Sequence, residues 1–152
     1  MKNRAVVFLI FCIGICITAC GTKTRQVVFP VSKSKLQAGI DSLYTRHPEY
    51  NMPPNWVVFN SWGKQGYDPK NANIFYFKNS PEEMYYVTFI ADSTNLSDTT
   101  KSAIAIKAIN TGDFNWMLTV DMSPEEKEQV QNRFEAEIIP KLEDYTKCKV
   151  AR

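Results

Sequence analysis

Few side chains here could carry chemistry, and their spacing argues against most of it. His47 is the only histidine of the chain and sits in Arg46-His47-Pro48-Glu49. As a general base it would need a nucleophile and an orienting acid converging on it. A plainer role is available, because a histidine in the last turn of a helix interacts favourably with the carbonyl end. Beyond the first twenty residues no His or Cys pair has ligand spacing, so neither a zinc site nor any other cofactor is expected. Glu82-Glu83 follows Ser80-Pro81 and reads as a turn or first helical turn, where open amides stabilise acids. The loop Asp92-Ser93-Thr94-Asn95-Leu96-Ser97-Asp98 lacks the glycine and terminal glutamate of an EF-hand loop and reads as solvated. Nucleophile-elbow, phosphate-loop and dinucleotide motifs are missing, and 6 glycines leave little to build such loops from. A hydrolase reading would have to rest on carboxylates such as Glu49, Asp68 or Glu83, two of which would have to share a pocket.

Aromatic side chains are the more informative excess. Trp56, Phe59, Trp62, Tyr67, Phe75, Tyr76, Phe77, Tyr85, Tyr86 and Phe89 crowd one part of the chain. Strands buried on both faces would account for the runs 74–77 and 85–90. An amphipathic surface for a partner is the competing reading, since Tyr and Trp are favoured at interfaces. Trp62 and Tyr67 flank Gly63-Lys64-Gln65-Gly66 and are the candidates for exposure.

The elements that must position these residues are legible from periodicity. Leu36, Ile40, Leu43 and Tyr44 share a helical face, Ser34 and Gln37 have capping-box spacing, and Pro48 closes the helix. Five β-rich runs follow at 55–60, 73–78, 84–91, 102–109 and 114–120. The last two are predicted to pair antiparallel through Asn110-Thr111-Gly112-Asp113. Strict alternation would put Phe114, Trp116, Leu118 and Val120 toward the core with Ile104, Ile106 and Ala108. Asn115, Met117 and Thr119 would then face away beside Ala103, Ala105 and Lys107. Ser123-Pro124-Glu125-Glu126 is a strong helix start. Val130, Phe134, Ile138, Leu142 and Tyr145 continue as an apolar stripe that Pro140 must kink or divide. The expected fold is α+β: a five-stranded antiparallel, meander-like sheet with an N-terminal and a C-terminal helix on one face.

The amino terminus explains where such a body would be. Residues 1–20 run from basic Met1-Lys2-Asn3-Arg4 through an apolar stretch from Ala5 to Ile17 to Thr18-Ala19-Cys20, the build of a secretory signal peptide. The apolar stretch is shorter than the ~20 residues a spanning helix needs. Ile17-Thr18-Ala19-Cys20 resembles the lipobox of bacterial lipoproteins, with Ile17 where leucine is commoner. The resemblance covers only these twenty residues. It implies that residues 1–19 are removed and that Cys20 carries a diacylglycerol and a further fatty acyl chain such as palmitate. The mostly polar stretch that follows reads as a tether, 20–32, and the remaining length suits a single domain at 33–152. Gly21 is not the aspartate that retains enterobacterial lipoproteins in the inner membrane. With no acid between Cys20 and Asp41, an outer-membrane anchor facing the periplasm is favoured.

Cleavage also removes Lys2 and Arg4, which together are the whole excess of 18 basic over 16 acidic side chains. The mature chain is then formally neutral with scattered charges, which speaks against a nucleic-acid partner. Cys12 and Cys16 would leave with the signal and Cys20 would be a thioether, so Cys148 has no cysteine to pair with. Lys147 and Lys149 favour its thiolate, yet a redox role lacks a resolving cysteine, and a tail thiol without function is expected. The leading expectation is a non-enzymatic binding or accessory lipoprotein of the envelope, with a protein or other envelope component as partner. An inhibitor or immunity-type protein is a variant of it, and a carboxylate hydrolase is the competing class. The expected partner surface comprises Trp62, Tyr67, Lys107 and Met117, the flexible thioether of Met117 lying beside small alanines.

Overall fold

A computed structural model describes residues 25–57, 72–90, 100–112 and 116–150. Five antiparallel strands, β1 (Gln26–Phe29), β2 (Ala72–Phe77), β3 (Glu83–Phe89), β4 (Ser102–Asn110) and β5 (Met117–Leu118), form one sheet. Its order is β1-β4-β3-β2, with β5 also on β4. Helices α1 (Lys33–Arg46), α3 (Pro124–Glu137) and α4 (Ile139–Thr146) supply the second layer, and α2 (Pro54–Val57) is a single turn. The protein is an α+β sandwich, as the periodicity predicts.

Local chemistry explains the helix ends. Ser123 Oγ accepts from the Glu126 backbone N–H (3.2 Å), and the Glu126 carboxylate accepts from the Ser123 N–H (2.8 Å), closing the predicted capping box. Pro140 divides the C-terminal stripe at Ile138, so two successive helices form there. For α1 the cap is Ser32, whose Oγ accepts from the Lys35 N–H (3.3 Å), and not the predicted Ser34 and Gln37. Phe29, Val31 and Leu36 anchor the chain on both sides of Ser32, which sets the helix start two residues earlier.

Leu36, Ile40 and Leu43 of α1, Val130 and Phe134 of α3, and Ile139 and Leu142 of α4 pack on one face of the sheet against Phe75, Phe77, Tyr85, Val87, Ile104 and Ile106. Each such side chain contributes ~1.5–3 kcal/mol on burial. Helices α1 and α4 approach so closely at Gly39 that an added Cβ would stand 2.8 Å from Thr146 Cγ2. The aromatic excess of β2 and β3 is largely core: Phe75, Phe77 and Tyr85 on the helix face, Tyr76 and Tyr86 buried on the other. Packing therefore explains most of it, and Phe59, Trp62 and Tyr67 lie outside the described residues.

Three further expectations are corrected. Residues 26–29, read as tether, form β1, because Val27 and Phe29 bury on the helix face beside Ile104 and Ser102 of β4. Residues 55–57 are helical, where the run 55–60 predicted a strand; Pro53-Pro54 sets up a helical turn in which the Trp56 N–H donates to the Pro53 carbonyl (2.9 Å). The third correction is the orientation of β5. Tyr86 pairs with Ala108 but Val87 pairs with Ile106, so Lys107 is an extra residue on β4. This bulge reverses the alternation beyond it. Ile109 joins Ile104 and Ile106 on the helix face, and Ala108 joins Tyr86 on the other. Met117 pairs with Ile109 and Leu118 with Ala108, so Met117 takes the helix side and Leu118 the outer side, the reverse of the prediction. Leu118 and Val120 are exposed and Thr119 is buried. Thr119 fastens the bulge: its N–H donates to the Lys107 carbonyl (2.9 Å) and its Oγ1 reaches the carbonyls of Ile106 and Lys107 (both 3.3 Å).

Candidate functional site

The reversed alternation creates a recess among the described residues. Met117, turned to the helix side, stands across from α3, and between them lies a pocket of about 420 Å³. Tyr85, Ile109, Met122 and Val130 give it apolar walls, Thr111, Glu126 and Gln129 lie toward its polar side, and Pro81, Glu83 and Arg133 form one end. Each wall residue has a sequence reason to be there. Tyr85 and Ile109 are opposite one another on β3 and β4, and Val130 and Arg133 are one turn apart on the inner face of α3.

At the charged end the groups satisfy one another. Arg133 Nη1 donates to Glu83 Oε2 (2.8 Å) and the Pro81 carbonyl (2.6 Å), Nη2 to the Asn79 carbonyl (2.9 Å), and Nε to Glu137 Oε1 (3.1 Å). The guanidinium also lies over the Phe77 ring, 4.8 Å from its centroid. Glu83 further accepts from the Tyr85 hydroxyl (2.8 Å), and Glu137 from the Tyr50 hydroxyl (3.4 Å). Burial opposes the Arg133 charge, but its bonds to Glu137 and Glu83 outweigh this and hold its pKa above the ordinary value. Burial, reinforced by Glu83, pushes Tyr85 far above a normal phenol, and burial together with Glu137 pushes Tyr50 up to about 12. Both phenols are thus neutral donors at physiological pH. Arg133 clamps the β2–β3 turn to α3 through four hydrogen bonds within this chain. What the pocket offers a ligand is chiefly apolar area and a flexible Met117 thioether.

The two candidate acids among the described residues, Glu49 and Glu83, do not share the pocket. Glu83 is in the clamp, Glu49 is exposed with Oε1 3.1 Å from His47 Nδ1, and Asp68 is outside the described residues. Glu126, the other carboxylate at the pocket, is engaged in the α3 cap. His47 closes α1 through its N–H to the Leu43 carbonyl (2.7 Å), with its ring near Tyr50 and Tyr145. Among the described residues no three His, Cys, Asp or Glu side chains gather as a metal site. Cys148 is a free thiol, its Sγ 3.0 Å from Thr146 Oγ1.

Of the expected partner surface, Met117 lines the pocket and Lys107 sits at the bulge outside it. Trp62, Tyr67, Cys20 and the loop 92–98 are outside the described residues. The Arg133 clamp escaped sequence reasoning. Its spacing to Glu137 was readable as an i,i+4 pair, but Glu83 lies fifty positions away in sequence and only the fold brings it near. Among the described residues no helix is long and apolar enough to cross a membrane. Compared with known proteins, the chain matches no protein family, no curated protein and no solved structure.

Proposed function

We propose that this chain is an envelope lipoprotein, anchored through acylated Cys20 on the periplasmic side of an outer membrane, whose domain holds a partner by a non-enzymatic contact at the Met117 pocket. The observation that carries the anchoring is the box Ile17-Thr18-Ala19-Cys20 behind a basic and then apolar segment. Two or three acyl chains, at ~0.8 kcal/mol per buried methylene, hold a protein on a membrane where one chain does not. Support for binding comes from the pocket. Its volume of about 420 Å³ lies within the ~300–1,000 Å³ of ligand sites. Arg133, Glu83 and Glu126 are already engaged within the chain, which favours recognition of an apolar group over bond-breaking chemistry.

The test is photo-crosslinking in intact membranes with a diazirine amino acid in place of Gln129, at the pocket, in chains with and without Met117→Glu. The account expects one discrete adduct that Met117→Glu abolishes while the melting temperature is unchanged. An adduct indifferent to Met117→Glu, or none at all, removes the pocket as the binding site.

A further inference from the structure

Among the described residues, four large apolar side chains are exposed: Val28, Met117, Leu118 and Val120. All four are on β1, on β5 or in the turn that follows β5, and these two strands share one edge of β4. Strand β1 covers positions 102–105 of β4 and β5 covers 108–109. Gln26, where β1 begins, lies opposite Ala105, and Leu118 lies opposite Ala108, positions ~10 Å apart at ~3.3 Å per residue. Pairing parity puts Val28, opposite Ala103, on the same outer face as Leu118. Val120 is at the tip of the turn closed by the Asp121 N–H to the Leu118 carbonyl (3.0 Å) and is 65 % exposed. Turn tips are ordinarily polar. Thr119, bonded to the Lys107 carbonyl, fixes that tip beside the start of β1.

The same point is where an anchored chain leaves its membrane. From Cys20 to Arg25 the backbone reaches at most ~18 Å at ~3.6 Å per residue. Arg25 is held to the domain by its contact with Glu135 (3.4 Å). A lipid on Cys20 therefore keeps the start of β1, and with it the neighbouring turn, within that distance of the bilayer surface.

We infer that Val28, Leu118 and Val120 form a membrane-resting face, on which the bilayer carrying the anchor is the occupant. The inference rests on the proposed acylation of Cys20. It assigns the exposed apolar groups a reason that a free-floating domain would not supply, and it orients the molecule: the β1 and β5 edge lies down, and the β2 edge with Glu49 stands away. Such a face dips ~5–10 Å into the headgroup and acyl boundary.

The experiment uses the full lipidated chain, purified from membranes in a Cys148→Ser background and placed in phosphatidylcholine vesicles. With Cys20 acylated, a single introduced thiol takes an environment-sensitive fluorophore, at Val120→Cys or, on the far edge, at Glu49→Cys. Flotation with the vesicles reports the anchor independently. The expected result is a blue-shifted Val120→Cys probe that loses most of its emission to nitroxide-labelled lipid, while the Glu49→Cys probe is unaffected. A chain that floats but whose Val120→Cys probe is no more quenched than Glu49→Cys overturns the resting face and leaves the anchor standing. A chain that does not float overturns both.

Discussion

Replacing Arg133 with methionine isolates the clamp that closes one end of the pocket. Methionine keeps an apolar side chain of similar reach and removes all four hydrogen bonds at once, those to Glu83, Glu137, Asn79 and Pro81. Glu83 is left with the Tyr85 hydroxyl as its donor, in a place where its side chain is 11 % exposed. Removing one partner of a buried pair costs ~3–5 kcal/mol, and the lost stacking on Phe77 adds ~0.5–1 kcal/mol. Because the Arg133 side chain is 15 % exposed, water reaches part of the site, so the loss should fall near the lower bound, about 3 kcal/mol. That is a large share of the ~5–15 kcal/mol that stabilises a typical domain. The assay is urea unfolding of mature chain carrying Cys20→Ser to keep it free of lipid. Adding Glu83→Gln to Arg133→Met should recover about 1–3 kcal/mol, because the orphaned charge is gone. A single variant within 1 kcal/mol of the parent, or a double variant no more stable than the single, would show that the clamp does not hold the β2–β3 turn to α3.

Three further outcomes follow from the packing and the caps. Phe134→Ala removes a ring buried between Phe75 and Tyr85 and should cost ~3–5 kcal/mol in the same unfolding assay; a loss under 1 kcal/mol would contradict its core position. Gly39→Ala should lower the melting temperature despite the helix-propensity gain of ~1 kcal/mol, since the new Cβ meets Thr146 Cγ2 at 2.8 Å, and Thr146→Ser, which deletes that methyl group, should restore it. The Glu126 carboxyl is held below the usual carboxylate range by the Ser123 backbone N–H and then by its side chain. With the folded pKa depressed, the stability it lends is present above the unfolded pKa and is lost as pH falls through the folded one. Glu126→Gln should therefore flatten the acid limb of stability against pH, and an unaltered limb would count against the capping box.

What could be read from sequence was local. Ser123 with Glu126, and Pro140 within its stripe, act through neighbours a few positions away, and both behaved as their chemistry requires. The fold class and the β4–β5 pairing were legible for the same reason. The orientation of β5 was not. One extra residue, Lys107, reverses every face beyond it, and nothing in Ala103-Ile104-Ala105-Ile106-Lys107-Ala108-Ile109 marks where the bulge falls. Its position is fixed across strands, by Val87 meeting Ile106, Tyr86 meeting Ala108, and Thr119 binding the Lys107 carbonyl. β1 was hidden because four residues, Gln26–Phe29, are too few for alternation to stand out from a tether. Met117 was given the wrong neighbours: it pairs with Ile109 and lines the pocket with Val130 instead of lying beside the alanines of the outer face.

The central claim is the anchor, since both the pocket's place in the envelope and the resting face depend on it. Intact-mass and amino-terminal peptide analysis of the protein extracted from membranes tests it most directly. The account predicts a chain lacking residues 1–19 whose first residue, Cys20, carries a diacylglycerol thioether; a free Cys20 thiol, or a chain that retains Met1 to Ala19, would contradict it.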